Sequence, residues 1–186
     1  MLVDHKFTEQ RSANAARRQG RMRKHYGKFI ETLLAWCWFM TITFREFESP
    51  AWALAQLQQF FHELQSESPE GIGWLIAEDL GSIGGRFHVH VLVAGVDGLP
   101  MDTWERRATR RFGLTRVEPF EAGIGGGEYM AKNGLATSGD FHFGGELLRD
   151  LSSKQTNAAV GRIVVARSAD VPSAFFHMTL GRRRTK

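Results

Sequence analysis

The chain has 186 residues, 42% hydrophobic and 24% charged, which suits one soluble globular domain with some elaboration. Its longest apolar run, residues 33–44 with two threonines included, is ended by Arg45 and falls short of the ~18 residues of a membrane span. The polar, charged opening 1–10 shows no secretory signal, and a single cysteine, Cys37, excludes an intramolecular disulfide and suits a reducing, cytoplasmic compartment.

The net charge of +4 is unevenly spread. Residues 1–28 hold eight Lys/Arg against two Asp/Glu, and residues 182–186 add four more basic side chains. The stretch between them is acidic, with twelve basic and eighteen acidic residues. Basic ends favour a polyanion through counterion release, and they equally suit solubilised chain termini. The domain reading is a basic N-terminal arm over 1–28, compatible with a short helix, and a folded body over 29–186. Within that body the chemistry-bearing part is 36–135, and 136–186 is a C-terminal extension.

Residues 35–44 are aromatic and β-branched and read as a first strand. Ser49-Pro50 is a good helix start, and Trp52, Leu57, Phe60, Phe61 and Leu64 recur at helical spacing, so a helix follows over 50–66. Residues 72–78 form a second strand, and 79–85, with three glycines, the hairpin loop. Residues 86–94 form a third strand. Asp102 and Glu105 have capping-box spacing in a helix over 101–112, which Gly113 ends. A fourth strand covers 114–120. The glycine-rich stretch 123–127 leads to a short helix over 129–133, stopped by Gly134. The fold class is therefore α+β. Its centre is an antiparallel sheet of β-α-β-β-α-β order, RRM-like or palm-like, with both helices on one face and a further helix carrying Tyr129.

The third strand contains His88-Val89-His90. Strand side chains alternate, so Phe87, Val89, Val91 and Val93 face the helices while His88, His90 and Leu92 face the open side. Two imidazoles side by side suit one divalent metal ion; alone, they also describe an ordinary strand edge. A carboxylate would complete the ligand set. Glu78 closes the second strand, and a turn centred near Ile83 would bring it opposite His88. On the first strand, Thr41 and Thr43 point to that same open face, where hydroxyls can bond phosphate or sugar. On the short helix, Tyr129 and Lys132 lie three residues apart on one face, so the cation can favour the phenolate as a nucleophile and neutralise charge on a phosphoryl transition state. Taken alone, this short pattern describes an amphipathic surface turn better than a site. Arg106, Arg107, Arg110 and Arg111 form a patch able to grip a phosphate backbone, with Arg86 beside the histidines; the same helix arginines equally suit a solvated face pairing with Asp102 and Glu105.

The ordered set Phe39-Met40-Thr41-Ile42-Thr43-Phe44, Glu78, His88-Val89-His90 and Tyr129-x-x-Lys132, spread over 36–135, resembles the HUH endonuclease superfamily. Within it the likeness is specifically to single-tyrosine rolling-circle replication initiators of plasmids and small single-stranded DNA viruses. The resemblance implies a metal-dependent DNA endonuclease and strand transferase. Tyr129 would form a 5′-phosphotyrosine with Lys132 assisting, and His88, His90 and Glu78 would bind Mn or Mg. Thr41, Thr43, Arg86, Arg106 and Arg110 would contact DNA. The implied partners are single-stranded or stem-loop origin DNA with a host helicase and polymerase; the sequence holds no G-x-x-x-x-G-K-[ST] loop, so a host helicase would be recruited or this is a nuclease domain trimmed from a longer protein. An HUH transposase or relaxase is the near alternative, although the only other tyrosine is Tyr26. An RRM-like RNA-binding module shares the element order but wants aromatics where the third strand has His88 and His90.

Overall fold

The computed structural model describes residues 3–46, 49–80, 86–136, 141–148, 165–166 and 176–178. The elements run α1 (Val3–Leu33), β1 (Trp36–Phe44), α2 (Pro50–Glu67), β2 (Gly73–Leu80), β3 (Phe87–Ala94), α3 (Met101–Phe112), β4 (Gly113–Pro119), α4 (Gly126–Ala136), β5 (Phe141–Gly145), β6 (Val165–Ala166) and β7 (Phe176–Met178). All pairings are antiparallel, in the order β4-β1-β3-β2-β5-β7-β6. The expected β-α-β-β-α-β run from β1 to β4 is present, and the fold is α+β. The C-terminal third contributes three short strands beyond β2 that the sequence did not announce. The basic tail 182–186 lies outside the described residues.

Alternation along β1 sets the layers. Trp38, Met40, Ile42 and Phe44 point to one face, where they meet Val89, Val91 and Val93 of β3. Over them lie Ala53, Leu57, Phe60, Phe61 and Leu64 of α2 and Trp104, Ala108 and Phe112 of α3. Each large side chain buried there contributes about 1.5–3 kcal/mol of transfer free energy, so this face is the main core. The Ser49 hydroxyl caps α2 by accepting from the Trp52 amide at 3.1 Å, as its sequence anticipates. The capping box expected at 102–105 is not formed. Pro100 is the N-cap of α3 and offers no side-chain bond, while the Glu105 carboxylate instead accepts from the Val117 amide at 2.7 Å and ties α3 to β4.

The second face of the sheet is not open, as the element order alone suggested. α1 and α4 cover much of it, burying Ile30, Met130 and Ala131 against Leu75, Ala77, Leu92 and Ala94. The expected boundary at residue 28 falls inside α1, whose last turns are packed while residues 10–19 are exposed. α1 crosses α4 where two glycines meet. A Cβ on Gly27 would stand 2.7 Å from the Glu128 amide nitrogen, and one on Gly127 would strike the Gly27 carbonyl. The Glu31 carboxylate accepts from the Gly127 amide at 3.2 Å at the same crossing. α4 is longer than the 129–133 expected: it starts at Gly126 and runs through Gly134.

Candidate active site

The site forms on the second face, at the end of the sheet where β1 and β2 finish and β3 begins. Cross-strand register builds it in rows. Thr43, His88 and Asp79 are opposite one another on β1, β3 and β2, and Thr41, His90 and Ala77 form the next row. Directly opposed residues point to the same face, so both histidines, both threonines and Asp79 converge. Asp79 Oδ2 lies 3.3 Å from His88 Nε2 and 3.7 Å from His90 Nε2.

The other ring nitrogens are held from behind. His88 Nδ1 donates to the Arg86 carbonyl at 3.2 Å, and His90 Nδ1 lies 3.1 Å from the Thr41 hydroxyl. A bond at Nδ1 fixes each ring and, with the proton there, leaves the Nε2 lone pair for a ligand. His90 is buried, and stacks on Phe39 with ring centroids 5.8 Å apart. Burial, helped by neighbouring His88 and opposed by Asp79, lowers its pKa to about 4. The ring is therefore neutral near pH 7, the state a metal ligand needs.

One carboxylate oxygen and two imidazole nitrogens, all within 4.8 Å of one another, suit a divalent cation. Ligands about 2.1 Å from an octahedral ion stand about 3 Å apart, so the observed separations fit with small side-chain adjustment.

Tyr129 closes the site from α4. Its hydroxyl lies 3.3 Å from His90 Nε2, the same nitrogen that faces Asp79, and its ring packs edge-on to His90 at 4.8 Å. The side chain is 41% exposed, so the hydroxyl is anchored yet accessible. Beside it is a pocket of about 480 Å³ lined by Phe39, Thr41, His90, Phe120, Ile124 and Gly125, among others.

The structure brings together His88, His90, Thr41, Thr43 and Tyr129, and it moves the carboxylate. Glu78, expected opposite His88, is opposite Val89 and so belongs to the α2/α3 side, where its carboxylate bonds His142 Nε2 at 2.9 Å. Asp79 takes the place expected of Glu78. Lys132 is exposed one turn beyond Tyr129 on α4. Arg86 is exposed next to the site and reaches it through its carbonyl. Arg106 and Arg110 are not brought to the site: α3 lies across the sheet from Tyr129, and Arg106 bonds Thr103. Their helix neighbours Arg107 and Arg111 pair with Glu67 and Glu63 of α2 rather than with Asp102 and Glu105.

No curated protein and no solved structure matches the chain. The family model of the replication-associated protein ORF2 matches residues 37–134, which run from β1 into α4 and include every residue converging on the site. Among the described residues no helix is long and apolar enough to cross a membrane. With more than half its length matched, and with His88, His90 and Tyr129 all inside the match, this chain belongs to the replication-associated protein ORF2 family.

Proposed function

We propose that this chain nicks and rejoins single-stranded DNA at a replication origin through a 5′-phosphotyrosine, starting rolling-circle replication of a plasmid, phage or small virus. The observation that carries the reading is the Tyr129 hydroxyl at 3.3 Å from His90 Nε2, on the side where His88 and Asp79 converge. A nucleophile for phosphoryl transfer and a cation-binding set are thus directly adjacent, and membership of a replication-associated family supplies the DNA context.

Asp79, His88 and His90 would hold Mn or Mg, which when bound supplies Lewis-acid polarisation of a phosphate oxygen. The Arg86 carbonyl keeps His88 in the liganding tautomer, and Thr41 would do the same for His90 by accepting from its Nδ1. Tyr129 Oη attacks phosphorus in line, forming the Tyr–O–P bond as the P–O3′ bond breaks. The phenolic proton ends, in net terms, on the departing 3′ oxygen. Lys132 stands one helical turn from Tyr129 and would offset negative charge developing around the phosphate. The free 3′-OH can prime synthesis, and the reverse attack reseals a strand because the phosphotyrosine conserves the phosphodiester bond energy. The pocket of about 480 Å³ beside Tyr129 would take an unstacked nucleotide, which requires the strand to be single at the nick.

The test is incubation of the full chain with an origin-like single strand and Mn, followed by a denaturing gel and mass spectrometry of the adduct. The wild type should form a covalent species whose DNA is attached at Tyr129, and Tyr129→Phe should form none while still binding the strand. Cleavage without any adduct, or an adduct on another residue, would overturn this mechanism.

A further inference from the structure

Among the described residues, none in the first two-thirds of α1 lines the site, yet the surface of this helix is specific. At 1.5 Å per residue this helix is about 46 Å long. Among the described residues, its packing onto the body runs through Tyr26, Gly27, Ile30 and Leu33 of the final turns. Every residue from 10 to 19 is exposed, so this part of the helix is polar and solvated on all sides. Between residues 10 and 30 the sequence carries seven Lys/Arg and no Asp/Glu. Arg17, Arg21, Lys24 and Lys28 recur at spacings of four, three and four, which aligns them on one face. All four are exposed, and at 100° per residue they lie opposite Tyr26 and Ile30, the packed side.

The geometry points to α1 as a duplex-DNA-binding helix that holds base-paired DNA flanking the nick. This rests on the reading that the chain acts on origin DNA. The surface favours a duplex on three counts. First, a helix with no apolar stripe is not self-supporting and gains stability from a partner that surrounds it. The major groove, about 12 Å wide, admits a helix of about 10–12 Å diameter. Second, the four aligned cations span roughly 16 Å on a straight rod. A rigid array complements the fixed phosphates of a duplex, whereas a single strand can fold onto any scatter of charge. Third, a lipid surface would require apolar bulk on the helix, and among the described residues Met22 is the only large hydrophobic side chain exposed on α1. The helix crosses α4 at Gly27 and Gly127, two residues before Tyr129, so a duplex held by α1 would lead its strand toward the nucleophile.

The experiment is fluorescence anisotropy of the full chain with a blunt duplex of about 20 base pairs, titrated across salt concentrations without added metal. It is compared with a single strand of equal length. The variants are R17Q/R21Q and R17Q/R21Q/K24Q/K28Q, which keep good helix formers at exposed positions; circular dichroism confirms the helix content. Each phosphate contact contributes about 0.9 to the slope of log affinity against log salt. The slope for duplex should therefore fall by about 2 in the double variant and by roughly 3–4 in the quadruple, with affinity reduced at least about tenfold near 0.1 M salt. An unchanged duplex slope in the quadruple variant overturns the assignment, and so does a wild type that binds the single strand as steeply as the duplex. Binding is read without cleavage, so failure of the wild type to form an adduct would sink the nickase and leave this helix assignment standing.

Discussion

The crossing of α1 and α4 makes a prediction that separates positioning from folding. Gly27→Ala adds one methyl group, which would stand 2.7 Å from the Glu128 amide nitrogen and 2.8 Å from its Cα, where ordinary contact begins near 3.4 Å. The two helices must therefore part by about 0.7 Å, because two of the atoms in the way, the Glu128 nitrogen and Cα, are backbone and cannot swing aside. Glu128 is the residue before Tyr129, so the shift is delivered almost directly to the phenol, now 3.3 Å from His90 Nε2. A misplacement of ~1 Å in a reacting group costs roughly 100-fold in rate, so a loss of about 10- to 100-fold in single-turnover adduct formation is expected. Stability should change less. Overpacking costs about 1–3 kcal/mol, and replacing a helical glycine by alanine returns about 1 kcal/mol. The net of about 0–2 kcal/mol lowers Tm by no more than several degrees in a chain of this size. The assay pairs the single-turnover rate with a thermal melt on one preparation. A rate within twofold of wild type would refute the claim that this crossing positions Tyr129, and a collapsed melt would show that it holds the fold instead.

Other substitutions test neighbouring claims. Gly20→Ala, on the exposed part of the same helix, meets nothing within 4 Å, so it should only gain helix propensity of ~0.5–1 kcal/mol; amide exchange around residues 16–20 should slow by roughly fivefold or less, with the adduct rate unaltered. Asp79→Ala should weaken Mn binding at least about tenfold by calorimetry, as even loss of an outer-shell partner does, while Glu78→Gln should leave it as it was; the reverse pattern would return the carboxylate role to Glu78. Thr41→Val is close to isosteric but removes the hydroxyl 3.1 Å from His90 Nδ1, so Mn affinity should drop by about 10- to 100-fold, and Thr41→Ser should restore it. Equal affinity in the valine variant would mean that packing on Phe39 orients His90 without help.

The sheet from β1 to β4 was legible because each element carried its own signal. The alternation in 36–44, the apolar spacing of α2 and the Val-rich face of β3 all pointed to one core, and that core is the α2/α3 side. What covers the other face was not legible. α1 has a short apolar patch at Tyr26, Ile30 and Leu33 that is overshadowed by the charge before it, and α4 begins in a glycine-rich stretch and runs through Gly134, which reads as a helix stop. Both glycines at the crossing are small because backbones touch there. One sequence does not distinguish such a glycine from one that frees a turn; only the partner helix does. The C-terminal strands are two to five residues long and bear no alternation long enough to register.

The place of Glu78 opposite Val89, rather than His88, has a sharper cause. In an antiparallel hairpin, opposed residue numbers sum to a constant fixed by the centre of the turn. A centre at Ile83 puts Glu78 opposite His88; the observed pairing of Asp79 with His88 places the centre half a residue later. That half-residue exchanges the two faces of the strand, because side chains alternate with a period of two. β2 gave no warning, since Trp74, Leu75, Ile76 and Ala77 are all buried and neither face reads as polar. The deciding information lay at the strand's end, where Glu78 and Asp79 stand side by side. Each found a histidine, Glu78 on His142 of β5 and Asp79 on His88 and His90. Two acids in sequence thus serve opposite faces of one sheet. Exchanging them, as Glu78→Asp with Asp79→Glu, keeps the charge and tests whether length matters. The longer side chain at position 79 would overshoot a cluster whose donor atoms lie within 4.8 Å of one another, so Mn affinity should fall short of wild type but exceed that of Asp79→Ala. Affinity as poor as that of the alanine variant would mean that the reach of Asp79, and not merely its charge, makes the site.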